Sequence, residues 1–414
     1  MDMKYFVTLL SSELMNEEKF HAIYDKYRDT INSTGGEIVN LENAADKELL
    51  IYFILGGGTE QQLIKIHKER VKDYPDEPIY LLAHPGDNSL PASMEILAKL
   101  RQEKIKGKIV YLSGNQANDI QMLGKSIRNL NVYKKLRTTN LGLIGKPSDW
   151  LVASSPEPKI VNEVWGIKTS EFSVDYLRDV YKSIKAEEII ENYNSFSGDA
   201  KSIVEPNNVE VENSIKVYSA IKKISEEHSL TSVSVRCFDL LMDEQTTGCF
   251  ALSKLTDEGI VAGCEGDIVT TIGMIWTYLM FGKSPWMANP ARIDINENRM
   301  VLAHCTVPRN IVSEYDIRSH FESGIGVGIQ GKVEHGPITL LRLGGKDLKS
   351  MWFAEGEIIS NGKEENLCRT QVELRLHDRN KLKELLNNPL GNHLILIHGF
   401  HAEDLEEWHS EFIQ

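Results

Sequence analysis

The 414-residue chain changes its rhythm once, near residue 285, and that change restricts the folds open to it. Before it, strand-like apolar runs alternate with amphipathic helical patterns. After it, short β-rich runs follow one another across Gly, Asn and Asp turns, with no helical pattern between them. Parallel neighbours need a crossover of a dozen or more residues, so the alternating part reads as parallel sheets with helices on their faces. Strands joined by short turns must pair antiparallel, and such a set protects its edges by closing into a barrel or doubling over. The expected class is therefore α/β: two doubly wound parallel-sheet domains, 1–139 and 140–284, followed by a β-rich, antiparallel, barrel-like C-terminal domain, 285–414.

In the first stretch the expected strands are Tyr5–Leu10, Leu49–Leu55, Ile79–Ala83 and Ile109–Leu112, with helices such as Glu60–Val71 and Ala92–Gln102 after them. A second unit opens at Asn140. Its expected strands are Val161–Ile167, Val233–Phe238 and Ile260–Cys264, and its helices Asp175–Glu187, Val209–Glu227, Thr247–Leu255 and Asp267–Phe281. The polar run Asn192–Pro206 reads as a loop. Beyond residue 285 the β-rich runs are Arg299–His304, Val327–Glu334, Ile338–Leu343, Met351–Ile359 and Thr370–Leu376. A strand at His393–Ile397 and a helix at Glu403–Phe412 complete the pattern.

The formal net charge of −14 argues against a nucleic-acid partner, because phosphate binding needs basic surface. No apolar run approaches the length of a membrane span. Tyr5–Leu10 is too short for a signal-peptide core and reads as a strand. The expectation is a cytoplasmic protein without membrane contact. The five cysteines (Cys237, Cys249, Cys264, Cys305, Cys368) show no CxxC or zinc-type spacing and read as reduced thiols, mostly small core residues.

Two acids end consecutive strand patterns. Asp239 follows Val233–Phe238, and Glu265 follows Ile260–Cys264 within Gly263-Cys264-Glu265-Gly266-Asp267. Ligands of open α/β sheets bind at such strand ends, and carboxylates there suit a hard divalent cation. Against this stands simple helix capping, a role open to Asp267 as well. His304 ends one β-run and His393 opens another; each becomes a ligand only if the fold carries it to the acids. Gly56-Gly57-Gly58-Thr59 joins a strand to a helix. Its backbone N–H groups, with Gly57 and Thr59 foremost, could hold sugar hydroxyls or an anion, or it is a tight turn with Thr59 as N-cap. Gly326-Val327-Gly328-Ile329-Gln330-Gly331 has the letters of a dinucleotide fingerprint but no βαβ context, and is discounted.

Several segments resemble the L-fucose/L-arabinose isomerase superfamily, in particular its shorter fucose-isomerase-like members. They are Arg236-Cys237-Phe238-Asp239-Leu240, Asp257 through Asp267, Leu302-Ala303-His304-Cys305, Ser319-His320-Phe321-Glu322-Ser323 and Gly391-Asn392-His393. They occur in the superfamily's order over roughly residues 230–414. The resemblance implies an aldose–ketose isomerase using a divalent metal, usually Mn2+, with Mg2+ or Co2+ as alternatives. It implies metal ligands at Glu265 and His393 and a second acid at Asp239, with Glu244 as the fallback. Catalytic proton transfer falls to Asp239 and Glu265, and sugar contacts to His304, His320, Glu322, Gly57 and Thr59. It further implies a small-molecule sugar as the partner and a homo-oligomer, trimeric or hexameric. The alternative is a non-catalytic sugar-binding or regulatory protein on the same scaffold, since the histidine that arabinose isomerases carry past the Glu-Gly-Asp motif falls near Gly282 here.

Overall fold

The computed structural model describes residues 4–414. Chain contacts divide it into two compact units, the first running to Lys134 and taking in Trp408–Phe412, the second covering Lys135–Glu407.

The first unit contains β1 (Tyr5–Leu10), α1 (Glu17–Ser33), β2 (Gly36–Val39), β3 (Leu50–Ile54), α2 (Glu60–Arg70), β4 (Ile79–Ala83), α3 (Ser89–Gln102), β5 (Gly107–Tyr111) and most of α4 (Gln116–Thr138). Its five strands lie in the order β2-β1-β3-β4-β5, all parallel. β3 and β4 are buried along their whole length, as strands covered on both faces must be. The Gly56–Thr59 turn leaves β3 beside the point where the strand order reverses. Here Thr59 Oγ1 donates to the Gly56 carbonyl at 3.0 Å and Gly57 N–H to the Asp87 carbonyl at 2.8 Å. Thr59 is fully buried and does not cap α2 with its side chain.

The second unit opens with β6 (Asn140–Ile144), α5 (Pro158–Trp165), β7 (Lys168–Phe172), α6 (Val174–Ser183), α7 (Ile190–Asp199), β8 (Ser202–Ile203), α8 (Asn208–Glu227), β9 (Ser232–Val235), α9 (Phe238–Glu244), α10 (Cys249–Asp257), β10 (Val261–Gly263) and α11 (Ile268–Phe281). A parallel sheet runs β10-β9-β6-β7. β11 (Trp286–Asp294), β12 (Arg299–His304), β13 (Val312–Arg318), β14 (Gly328–Val333), β15 (Gly336–Gly344), β16 (Ser350–Asn361) and β17 (Thr370–Leu376) follow. They are succeeded by α12 (Asn380–Asn387), β18 (Leu394–His398) and α13 (Ala402–Phe412). Six of these strands close an antiparallel barrel in the order β11-β12-β17-β16-β15-β18, while β14, β13 and β8 form a small separate sheet. The fold is thus α/β with parallel sheets and a closed antiparallel barrel.

α11 sets the position of the site. Nearly every residue from Ile268 to Met280 is buried, because the helix touches β9 and β10 on one side and β11, β15 and β18 of the barrel on the other. A helix apolar all round is what such a double burial needs. Gly273 allows the close approach, since a Cβ there would lie 2.4 Å from Ile395 Cδ1 of β18. The start of α11 is thereby fixed against the barrel.

Three local expectations give way to tertiary packing. Val161–Ile167 lies mostly in a helix, α5, with Pro158 in its first turn and Gly166 ending it at φ 74°; Val161 and Trp165, four apart, form its buried stripe. Asn192–Pro206 contains most of α7 and the bridge strand β8. The ring of Phe196, fully buried, stands 4.1 Å from that of Phe250, centroid to centroid, and this contact anchors a polar helix. Val233–Phe238 is shorter as a strand: β9 stops at Val235, and Asp239 lies in the first turn of α9.

Candidate active site

β10 ends at Gly263, and Glu265 follows at φ 61°. This left-handed conformation costs a residue with a Cβ about 1–3 kcal/mol and persists where the surroundings hold it. Here they do. Glu265 Oε2 accepts from Trp150 Nε1 at 2.6 Å, and the Glu265 carbonyl accepts from Ser148 N–H at 2.9 Å. Gly266, also left-handed at φ 70°, has room only for hydrogen, since a Cβ would lie 2.9 Å from Pro147 Cα. Asp267 then caps α11, accepting from Thr270 N–H at 2.8 Å and Thr270 Oγ1 at 2.7 Å.

The barrel supplies two histidines. β12 and β18 both pair with β11, Ala303 opposite Asn289 and Leu394 opposite Ala288. His304, the last residue of β12, and His393, just before β18, therefore come together, with ring centroids 5.5 Å apart. His393 Nε2 lies 3.4 Å and His304 Nε2 3.8 Å from Glu265 Oε1. One ligand atom from each of the three residues lies within 4.8 Å of the others.

The outer nitrogen of each ring is engaged elsewhere. His393 Nδ1 is 2.8 Å from Asp267 Oδ2, and His304 Nδ1 is 2.9 Å from Thr306 Oγ1. A carboxylate behind an imidazole is the arrangement that orients metal-ligating histidines. His393 Nε2 is buried and has no hydrogen-bond partner, a costly condition unless something fills the space it faces. Two imidazole nitrogens and one carboxylate oxygen suit a divalent transition metal. The residues fit such an ion, and this buried Glu/His/His group can bind one.

Electrostatics support the same reading. Burial opposes charge on Glu265, but His304 and His393 facing it outweigh burial and hold its carboxyl well below the usual range. Asp267, fully buried, is likewise opposed by burial, yet Arg342 and His393 bring it down to about 2. Burial disfavours a charged His393, but its bond to Asp267 and the nearby Glu265 push it up to about 9. Arg342, with no exposed surface, donates to Asp267 at 3.4 Å and to the His393 carbonyl at 3.3 Å.

A cavity of about 450 Å3 opens onto Glu265 and His304, a size suited to a monosaccharide. Trp150, Phe238, Leu241 and Phe321 line its apolar part; Asn289, Asn392, Thr247, His320 and Glu322 bring polar groups. His320, buried, has its ring edge-on to Phe238. Glu322 is exposed at the cavity.

The structure thus brings Glu265 and His393 together and joins His304 to them as a third ligand candidate. His320 and Glu322 face the same cavity. Asp239 does not meet the group. Because β9 stops early, Asp239 Oδ1 accepts from Arg236 Nε at 2.9 Å and borders a different crevice, with Gly145 and Lys146. The residue that the end of β9 presents to the cavity is Cys237. Glu244 pairs with Lys182 at the far end of α9. Gly57 and Thr59 belong to the first unit, where Thr59 is engaged within its own turn. The sequence pattern does not by itself mark Trp150, Asp267 or Arg342 as parts of the site. For Asp267 a signal existed, since an acid two residues after a ligand and before a helix serves cap and histidine partner at once. Trp150 and Arg342 come from segments with no such pattern.

Among the described residues, no helix is long and apolar enough to cross a membrane. No family model matches the chain. Curated proteins do match it. A sulfoquinovose isomerase of Alkalicoccus urumqiensis is 21% identical over 331 residues, covering 77% of this chain and 74% of the relative. Sulfoquinovose isomerases of Priestia aryabhattai and Priestia megaterium are each 26% identical over 194 residues, 45% of this chain and 44% of theirs. Together with a Glu/His/His group open to a sugar-sized cavity, these similarities make the chain a sugar isomerase of the aldose–ketose type.

Proposed function

We infer that the chain is a metal-dependent aldose–ketose isomerase acting on an open-chain sugar through an enediolate, with Glu265, His304 and His393 as ligands of Mn2+ or a similar divalent ion. The observation that carries this reading is the orphaned His393 Nε2 facing Glu265 Oε1, beside a second imidazole. Such an ion would polarise the sugar carbonyl and acidify the neighbouring hydroxyl. The chain's own groups must hold the sugar and move a proton between C2 and C1. Asn289, Asn392 and His320 offer hydrogen bonds to hydroxyls, while Trp150, Phe238 and Phe321 pack against the C–H groups of the sugar chain. Glu265 is committed to the imidazoles and to Trp150, so proton transfer falls to another carboxylate. Among the described residues Glu322 makes no hydrogen bond or ion pair and faces the cavity. It is the proton carrier in this reading, and Asp239 instead positions Arg236, which donates to the Pro147 carbonyl at 2.8 Å and so holds the turn bearing Trp150.

Among the described residues no lysine or arginine lines the cavity, so a sulfonate would find neither of these cations there. The substrate test is a panel of neutral aldoses run beside sulfoquinovose with added Mn2+, scored by ketose formed. Turnover in heavy water should place deuterium on C1 of the ketose. In Glu322→Gln, kcat should fall by about 10²-fold or more while Mn2+ affinity stays within about twofold. Unchanged kcat in this variant would assign the proton to another group.

Metal binding should release a proton. His393 is held protonated up to about pH 9 by Asp267 and Glu265, and only a neutral imidazole ligates. Because the folded pKa is raised, the competing proton is strongest in acid. Mn2+ affinity should therefore rise about tenfold per pH unit from 7 to 9 and level off above it. Titration calorimetry at pH 7, repeated in buffers of different ionisation enthalpy, should report about one proton per ion. Zero released protons would place His393 outside the ligand set.

A further inference from the structure

All five cysteines of the chain converge on the sugar-sized cavity. They come from distant points in sequence: the end of β9, the start of α10, the end of β10, the residue after β12 and the loop before β17. All are free thiols, and only Cys368 is more than marginally exposed. Core packing needs no such convergence, since small apolar residues would fill the same space without reactivity. Cys305 lies within hydrogen-bond reach of Cys249 and Cys368, and a further pair leaves the ends of neighbouring strands. Cys237 Sγ and Cys264 Sγ are 3.0 Å apart, on segments leaving the neighbouring parallel strands β9 and β10. A disulfide needs about 2.05 Å, so closure requires the sulfurs to approach by about 1 Å. Both side chains border the cavity, which gives a small oxidant a path to them.

We propose that Cys237 and Cys264 are a modification site, a dithiol that hydrogen peroxide closes to a disulfide and that a dithiol reductant reopens. The effect on function rests on the metal-site reading above. Cys264 is joined by one peptide bond to Glu265, whose left-handed backbone is held through its carbonyl by Ser148 and through its carboxylate by Trp150. Its own N–H is 3.1 Å from Met287 Sδ, and its carbonyl accepts from Asp267 N–H at 3.0 Å. Drawing Cys264 towards Cys237 displaces the neighbours of a ligand, and metal sites tolerate only about 0.2 Å of change in ligand distance. The chemistry balances. One sulfur takes an oxygen from peroxide as the O–O bond breaks, giving a sulfenic acid and water. The other sulfur then attacks it, the S–S bond forms, the S–O bond breaks, and the departing hydroxide leaves as water with the second thiol's proton. Two thiols lose two electrons in all, and one peroxide becomes two waters.

The test uses the full chain, reduced and then treated with hydrogen peroxide without metal. Digestion under alkylation and mass spectrometry should find a linked peptide pair containing Cys237 and Cys264, which dithiothreitol removes. Mn2+ affinity, measured by titration, should fall at least tenfold on oxidation and return on reduction. Cys237→Ser should form no such link, and peroxide should leave its Mn2+ affinity unaltered. Free Cys237 and Cys264 after oxidation of other thiols, a link through Cys305 instead, or a Cys237–Cys264 link with undiminished Mn2+ affinity would each overturn the proposal. A reduced chain that binds no Mn2+ would sink the metal-site reading instead, while the linked peptide still decides whether the pair closes.

Discussion

Glu265→Gln should abolish stoichiometric metal binding and, with it, sugar isomerisation. The amide is isosteric, so Trp150 Nε1 keeps an acceptor and the left-handed turn keeps its other supports. What disappears is the anion facing His304 and His393. A neutral amide oxygen is a far weaker ligand for a hard divalent ion, and two imidazoles alone lack the charge to hold one against dialysis. Metal analysis after dialysis against Mn2+ should fall from about one ion per chain to background, and kcat/KM should drop by at least about 10³-fold, the scale of removing a principal transition-state stabiliser. The His393 proton should become easier to remove, since one of the two acids that raise its pKa is gone. A Gln variant that retains one ion per chain would remove Glu265 from the ligand set.

Much of this architecture is legible in sequence because two signals are local. Alternation of strand and helix patterns announces the parallel sheets, and its loss near residue 285 announces the antiparallel barrel. Glu265 stands out as an acid at a strand end, and the resemblance marks it together with His393, in Glu-Gly-Asp and Gly-Asn-His, as a candidate ligand. The remainder depends on register and packing. His304 faces Glu265 only because β12 and β18 both pair with β11 at Ala288 and Asn289, a coincidence of barrel closure that no local pattern carries. Asp239 misleads for a related reason: the apolar run Val233–Phe238 looks like one strand, yet the chain turns into α9 after Val235 and swings the acid onto Arg236. In α7 a single buried aromatic, Phe196, converts a polar segment into a helix. The five cysteines look scattered until the barrel and sheet gather them.

The second large effect is expected at a residue that touches no substrate. Arg342 of β15 is fully buried and donates to Asp267, Thr270 Oγ1, Ser154 Oγ and the carbonyls of Leu390 and His393. Gly391 gives it room, since a Cβ there would lie 2.0 Å from the guanidinium. Arg342→Met removes the cation and leaves the Asp267 carboxylate fully buried, with His393 as counter-charge and only the neutral donors of Thr270 beside it. Breaking one side of a buried pair costs about 3–5 kcal/mol, a large share of the roughly 5–15 kcal/mol that holds a domain folded. Thermal unfolding of the metal-free second unit should move down by roughly 10 °C. Lysine is not a rescue, because a single ammonium cannot reach partners spread around a planar fork. Asp267→Asn in the Met background should recover part of the lost stability, as it removes the stranded charge, yet should leave metal affinity about 10–100-fold weaker, because His393 has lost the anion that orients it. Separate recovery of stability and of metal affinity distinguishes a tether for the ligand from a plain core ion pair. Were the double variant to regain both together, Asp267 would have no part in orienting His393.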